Sequence, residues 1–454
     1  MTMSWSNKAV RLGAPVLAAL VALSPITKAN AQSTAISLGD AARMAAKQGG
    51  NVDIARARVA AADARAMQRR GALLPDLSGG IEQAQRTTNS ATFGLAFKDP
   101  TGRPIFDPDG QVIGPIPTVD VRYRLKQSLF DVGKFATWRA AQSATDAASA
   151  EVDAQAEGVA ATAAAAYVRA ARAEAQVSAR VADSALAADL LRIARDQLQA
   201  GVGIALDVTR AQSQLAGTRA QLIVARSDRD RAMLELKRAM NVSLDASVTL
   251  RDSLAALPVD RALPDEAAAL AEAEHSRADI RALEAQETAQ KRALTAIQRE
   301  RLPQLGVVVD QGGLGNAWSH LLPTYTWGVQ LAVPLFDGYR RQSREQEQLA
   351  SNRETDVKLR ELRAQSVLDV RAAMLDLSAA REQLEAVTER LTLSEQEVAQ
   401  AQERFRAGVA GNSDVISALL ALNQARTLRN DALASYQSAR VSLARATGAV
   451  RQLP

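Results

Sequence analysis

Proline divides this chain more sharply than any motif does. None occurs from Thr118 to Leu257 or from Leu335 to Leu453, runs of 140 and 119 residues. Proline lacks a backbone donor and its ring clashes with the preceding turn, so these two runs are where long unbroken helices can exist. In the body of the chain the prolines gather at 75–117, 258–264 and 303–334. Beyond residue 31, 12 of 15 aromatic residues fall within 76–139 or 303–339, so the large rings accompany the segments that are not long helices.

The second proline-free run has a seven-residue repeat: Val370, Leu377, Leu384, Leu391, Val398 and Phe405. Ala373, Ala380, Val387, Ser394 and Ala401 fill the companion seam. A sustained heptad predicts a left-handed coiled coil. The first run echoes it 207 residues earlier, with Val177, Leu191 and Leu198 beside Ala173, Ala187 and Ala194. A helix from Asp131 to Ala200 would be ~100 Å long at ~1.5 Å per residue, far more than a globular domain needs.

The intervening segments alternate with period two. Val119, Val121, Tyr123, Leu125 and Leu129 share one face, opposite Asp120, Arg122, Arg124, Lys126 and Ser128. Tyr325, Trp327, Val329, Leu331, Val333 and Leu335 oppose Thr326, Gly328, Gln330 and Ala332. Weaker partner strands precede them, each joined by a turn-rich loop, 98–117 and 312–323.

These parts occur twice. Leu73-Leu74-Pro75-Asp76-Leu77 matches Arg301-Leu302-Pro303-Gln304-Leu305 at an offset of 228, and Leu129-Phe130-Asp131 matches Leu335-Phe336-Asp337 at 206. Ala200-Gly201-Val202 with Asp207-Val208 matches Ala407-Gly408-Val409 with Asp414-Val415 at 207. Each copy reads helix, two strands, long helix, tight turn, helix, which is a tandem duplication. The offset drops by 22 across the strand pair, so the first hairpin holds the extra residues. The expected organisation is a leader over 1–31, then a first repeat over 32–260 with strands about 77–97 and 118–129 and a coiled-coil hairpin about 131–241. The second repeat, 261–454, has strands about 304–311 and 324–335 and a hairpin about 337–447.

Four strands per chain cannot close a membrane barrel, which needs at least ~8. Either they form a small sheet covered by helices or several chains pool their strands. Aromatic strand ends and a polar opposite face favour a pooled barrel with lipid outside and water inside. The leader reading rests on basic Lys8 and Arg11, apolar Leu12 to Leu23 and the small-x-small site Ala29-Asn30-Ala31. Its removal takes Lys8, Arg11 and Lys28 and lowers the formal charge from +5 to +2, which leaves little support for nucleic-acid binding. The chain has no cysteine, which excludes disulfides, thiolate metal sites and an acylated N-terminal cysteine. Its two histidines, His275 and His320, are far apart, and no catalytic constellation or nucleotide loop is evident, so neither enzyme activity nor a cofactor is expected.

At this point the chain resembles the outer-membrane efflux (TolC-like) family over about 36–450. The marks are Ile36-Ser37-Leu38-Gly39-Asp40-Ala41, both Leu-Pro-x-Leu strand starts, both Leu-Phe-Asp helix starts and both Ala-Gly-Val…Asp-Val turns. The resemblance implies a mainly α fold with a transmembrane β contribution. It implies a homotrimer whose twelve strands form one outer-membrane barrel, continued by a twelve-helix periplasmic tunnel. Docking to a periplasmic adaptor and an inner-membrane pump or ATP-driven exporter is implied as well, with passive passage of solutes. The alternative from the residues is a soluble periplasmic coiled-coil adaptor, although adaptors usually have one hairpin and this chain has two.

Several residues carry a bland reading beside a functional one. Gly201, Gly203, Gly408 and Gly411 supply the backbone angles of an αα-turn. By resemblance, Gly201, Val202, Gly203, Gly408 and Val409 are also tips that meet the adaptor. Asp207 and Asp414 read locally as N-caps of the returning helices. By resemblance they line a constricted periplasmic gate, where some relatives carry a further acid at the position of Ser417. Asp120, Arg122, Arg124 and Lys126 are expected in the barrel lumen, either as a solvated wall or as a basic ring.

Overall fold

The computed structural model describes residues 34–93, 98–105, 107, 109–259, 264–407, 409 and 411–454. The leader expected over 1–31 and the tip residue Gly408 lie outside them. In chain order the elements begin with β1 (Thr34–Ile36), α1 (Leu38–Gln48), α2 (Gly50–Gly71), β2 (Asp76–Asn89) and β3 (Val112–Phe130). There follow α3 (Val132–Gln199), α4 (Ala205–Ala239), β4 (Val248–Leu250), α5 (Glu266–Ser276) and α6 (Ala278–Arg299). The chain closes with β5 (Gln304–Gly315), β6 (Leu321–Ala332), α7 (Arg340–Arg406) and α8 (Asn412–Thr447).

Local chemistry sets the helix ends. Asp131 caps α3 by accepting from the Lys134 amide at 2.8 Å. Ser37 and Asp40 cap α1 reciprocally. The two long helices, 68 and 67 residues, run ~100 Å each. Each folds back into a shorter helix, α3 into α4 and α7 into α8, giving two coiled-coil hairpins. On α7 the heptad residues Val370, Leu377, Leu384, Val398 and Phe405 are all buried. Leu198, which extends the echo on α3, is instead exposed, because it falls in the final turn beside the hairpin tip.

The core is a belt at mid-height. Ala160, Ala163, Ala164, Ala170 and Tyr167 of α3 pack against Ala41 and Ala45 of α1, Leu236 of α4 and Leu433 of α8. Alanine is the residue that lets α3 be buried on several sides while its neighbours approach closely. A parallel two-stranded sheet, β1 with β4, lies beside this belt. The last carbonyl, of Pro454, accepts from the Gly39 amide at 2.8 Å, and Glu157 accepts from the Val450 amide at 2.7 Å, so the C-terminal turn is fastened to α1 and α3.

The remaining strands form one antiparallel sheet in the order β2-β3-β5-β6. The helices beneath it follow the same order, with α2 against α3, α3 against α6 and α6 against α7. The protein is thus a stave: a strip of sheet on top, four helices across below. All four strands differ in extent from the sequence reading. β2 ends at Asn89 rather than about 97, and β3 begins at Val112 rather than about 118, because Val112 to Pro117 pair with Gln85 to Asn89 across a bulge in spite of two prolines. β6 begins at Leu321 rather than about 324. β5 continues through Gly312 and Gly313, which read as loop. A Cβ on Gly312 would lie 2.1 Å from the Val121 carbonyl oxygen, so glycine there permits close strand approach rather than a turn. β6 stops at Ala332, before Pro334, although the apolar alternation runs on to Leu335.

Candidate functional site: the open sheet and the hairpin tips

Register assigns every strand residue to a face. Leu77, Leu125, Val309 and Trp327 lie in one row across all four strands. Gly79, Tyr123, Gln311 and Tyr325 form the next row, and Ile81, Val121, Gly313 and Pro323 the one after. This face is apolar and uncovered: Leu77 is 70%, Ile81 69%, Tyr325 77% and Trp327 70% exposed. At its far end the Trp318 indole donates to Gln83 at 3.3 Å, in the row that contains buried Val119. A contiguous apolar face of this size is incompatible with water and marks a lipid or protein contact.

The other face carries the charges. Arg124 stands directly opposite Asp310 and binds it through two nitrogens, at 2.5 and 3.3 Å. Arg122 pairs with Asp120 at 2.5 Å on the same strand. Glu82 lies opposite Asp120, and Asp76 opposite Lys126. The expected residues Asp120, Arg122, Arg124 and Lys126 therefore share a face, but the carboxylates of Asp310, Glu82 and Asp76 join them. Two of the three cations are ion-paired, which weighs against a purely basic ring. Asp310 was legible only as a lone acid within the run Val307-Val308-Val309-Asp310.

Both edges of the sheet are open. β2 and β6 point in opposite directions, since each successive pairing is antiparallel. The β6 edge of one copy can accordingly pair with the β2 edge of the next, antiparallel, in a ring of any number of copies.

The opposite end of the stave is formed by the hairpin turns. Gly201 has φ +74°, the Val202 amide donates to the Gln197 carbonyl and the Gly201 amide to that of Leu198. This is a Schellman turn, for which glycine at the left-handed position is the natural residue. At the second turn the Val409 amide donates to the Arg404 carbonyl at 3.0 Å. Val202 is 80% and Val409 69% exposed, and Ile204 and Leu206 are exposed nearby. Gly203 follows, and its Cβ position lies 2.9 Å from the Leu198 nitrogen.

The N-cap reading of the aspartates is corrected here. The caps are Ile204 and Gly411, neither with a side-chain cap bond. Asp207 and Asp414 sit in the first turns beyond, where the helix dipole favours a carboxylate without direct capping. Ser417 is exposed one turn after Asp414. Sequence reasoning missed the fasteners between the two turns. The Gln197 amide donates to the Phe405 carbonyl at 3.0 Å, and the buried Asn412 amide to that of Asp207 at 2.9 Å. Farther up, fully buried Asp183 of α3 binds Arg180 at 3.1 Å and Arg426 of α8 at 2.9 Å, joining the two hairpins.

Among the described residues no helix is long and apolar enough to cross a membrane, and no cluster of acidic or histidine side chains could hold a metal. The strip of sheet with one apolar face, continued by ~100 Å coiled-coil hairpins, defines a subunit of an outer-membrane channel with a helical tunnel. The outer membrane efflux protein family matches residues 43–242 and 269–449, and the chain belongs to that family. It is a TolC-like outer-membrane channel component of efflux or secretion machinery, not an enzyme.

Solved structures share its fold at low identity. The CmeC outer membrane channel of Campylobacter jejuni aligns over 91% of this chain and 85% of its own, at 17% identity and a TM-score of 0.73. VceC of Vibrio cholerae aligns over 90% and 96%, at 18% identity and a TM-score of 0.70. The open state of MtrE from Neisseria gonorrhoeae aligns over 90% and 88%, at 18% and 0.70. No curated protein matches the sequence.

Proposed function

We propose that three copies close edge to edge into a twelve-stranded barrel, with their helices forming one continuous tunnel into the periplasm. The observation that carries this reading is the uncovered apolar strip flanked by two open, oppositely directed edges. Three times four strands is an even number within the range of membrane barrels. The polar face, with Asp120, Arg122, Arg124 and Lys126, then lines the pore. The leader over 1–31 exports the chain, and the two repeats, 32–260 and 261–454, each supply half of the wall.

At the tips, exposed Val202 and Val409, together with Gly201 and Gly203 and, by its place in the sequence, Gly408, are the surface offered to a periplasmic adaptor. Asp207, Asp414 and Ser417 lie at the inner mouth, where threefold copies of the carboxylates attract cations and oppose anions. Adaptor engagement spreads the tips. A preference of only a few kcal/mol for the spread state suffices to switch them. Energy comes from an inner-membrane pump or exporter. No nucleotide-binding motif is present in this sequence.

Planar-bilayer conductance of the purified full-length mature protein tests this. The expected result is a small closed conductance that rises in Asp414→Ala, and cation selectivity that falls in Asp207→Asn and increases in Ser417→Asp. Absence of a pore in every variant, together with release from the envelope without detergent, would instead support the soluble adaptor.

A further inference from the structure

Directly below the apolar sheet face, between α3 and α6, lies a groove of about 430 Å³ lined by Val132, Phe135, Ala136, Arg139, Arg292, Thr295 and Arg299. Three guanidinium groups face one space, and no carboxylate is among the lining residues. Among the described residues none of the three arginines forms an ion pair, whereas neighbouring Arg301 and Arg344 are satisfied by Glu345 and Glu300. Arg299 has a local explanation, since it sits in the last turn of α6, where the helix dipole favours a cation. That explanation does not extend to Arg139 or Arg292.

Arg139 is held by aromatic rings. Its guanidinium lies 5.6 Å from the ring centres of both Phe135 and Trp138, which meet edge to face at 5.4 Å. Cation–π contact positions the charge without neutralising it. Phe336 and Tyr339 form a second exposed edge-to-face pair where β6 leads into α7. Aromatic rings at strand ends are the usual markers of the membrane–water boundary.

The groove opens on the lipid side. The Lys134 ammonium reaches the Ser128 hydroxyl at 3.1 Å, and Ser128 alternates with Lys126 and Arg124 on the polar sheet face. On that side of α3, Thr137 and Ala141 join Gln290 and Ser351 along a trough across the wall. Phe135, Ala136 and Arg139 are turned roughly 100–200° about the helix from Lys134, at ~100° per residue, which places them beneath the apolar face. Arg139 lies seven residues beyond Val132, ~10 Å below the start of α3 along the axis. Its long side chain tilts back toward the helix N-terminus and so toward the headgroup layer, which extends ~5–8 Å below the hydrocarbon. α3 and α6 are the two central helices of the stave, so a neighbouring copy joined at β2 or β6 does not cover the groove.

We infer that the α3–α6 groove binds the headgroup phosphate of an anionic phospholipid from the periplasmic-side leaflet. Arg139, Arg292 and Arg299 surround the phosphate while Phe135 lies against the glycerol and upper acyl chain. Charge complementarity and continuity with the lipid-facing strip select this occupant. The inference rests on the barrel reading, which alone puts the groove at a bilayer surface.

The test is native mass spectrometry of the purified full-length protein in detergent, titrated in parallel with phosphatidylglycerol, phosphatidylcholine of the same chain length and inorganic phosphate. The expected result is at least tenfold preference for phosphatidylglycerol over phosphatidylcholine. Removing all three arginines (R139Q, R292Q, R299Q) is expected to weaken phosphatidylglycerol binding about a hundredfold, since each basic residue near an anionic surface is worth about fivefold. Single variants, each expected to lose about fivefold, preserve the comparison if the triple variant does not assemble. Equal retention of the two lipids overturns the proposal. So does displacement of the lipid by inorganic phosphate at matched concentration. A chain that remains soluble and monomeric without detergent refutes the barrel reading instead, which keeps the two failures distinguishable.

Discussion

The side-chain amide of Asn412, 1% exposed at the start of α8, donates to the main-chain carbonyl of Asp207 in the first turn of α4 at 2.9 Å. This bond and its counterpart from Gln197 to Phe405 are fasteners between the two hairpin turns, and both use backbone carbonyls rather than the acidic side chains.

If these fasteners hold the tips together, Asn412→Ala and Gln197→Ala should each release about 1 kcal/mol of closing energy, the usual net worth of such a bond. The open population would rise about fivefold per substitution. Single-channel conductance reads this directly, and faster protease cleavage near Val202 provides a second measure. Unchanged conductance in the double variant would show that the tips are held elsewhere.

Asp183 should be the least replaceable carboxylate of the helical region. Its side chain is 0% exposed and is shared between Arg180 and Arg426, while the Asn423 amide, with its nitrogen toward the carboxylate, donates at 2.7 Å. Asp183→Ala leaves two mostly buried guanidinium groups without their anion, a loss of about 3–5 kcal/mol. Hydrogen exchange of α8 amides around Asn423 to Thr427 should accelerate accordingly, while α1 amides keep their protection. Equal protection in both proteins would mean that the ion triad does not couple α3 to α8.

Orientation of the sheet predicts unequal tolerance of charge. Trp327→Arg puts a cation on the apolar row and should destabilise the assembled barrel by roughly 2–4 kcal/mol near the bilayer midplane, less near its edge. Thr326→Arg, one residue away on the face with Arg124 and Asp310, should leave assembly intact. The check is the temperature at which the detergent-stable oligomer dissociates. Greater damage from the Thr326 variant would reverse the assignment of lumen and lipid.

Acid sensitivity should appear at the start of α1. Hydrogen bonds from Arg43 and then from Ser37 hold the Asp40 carboxyl at about 2 instead of its ordinary 3.8. A carboxyl lowered on folding stabilises the native state above its unfolded value, and that contribution is lost as pH falls through about 2. The side chain is 33% exposed, so solvent screening reduces the effect to on the order of 1 kcal/mol. Asp40→Asn should therefore cost stability at neutral pH and flatten the decline between roughly pH 4 and 2. Parallel acid-melting curves for the two proteins would remove Asp40 from the account.

Much of the architecture was legible because it is written in short periods. The absence of proline and the heptad from Val370 to Phe405 mark α7, and the matched Leu-Phe-Asp and Ala-Gly-Val strings mark the duplication. Alternation along Val119 to Leu125 marks the sheet faces. The glycine-rich start of the second loop misled, because Gly312 looks the same in sequence whether it makes a turn or admits a neighbouring strand. The aspartates after the turns looked like caps for a similar reason. A carboxylate near a helix start fits several positions, and here the backbone begins the helix at Ala205 and Asn412, three residues before each acid would cap it.

By itself, the sequence determined how long the helices are, that the chain is doubled, and that its strands have one greasy and one polar side. These follow from contacts within a few residues. Only the tertiary structure decided which charges meet. Arg124 and Asp310 are 186 positions apart and Asn412 and Asp207 are 205 apart. Pairing at such separation depends on strand register and helix rotation, which no local pattern encodes and which the packing of all the elements sets together.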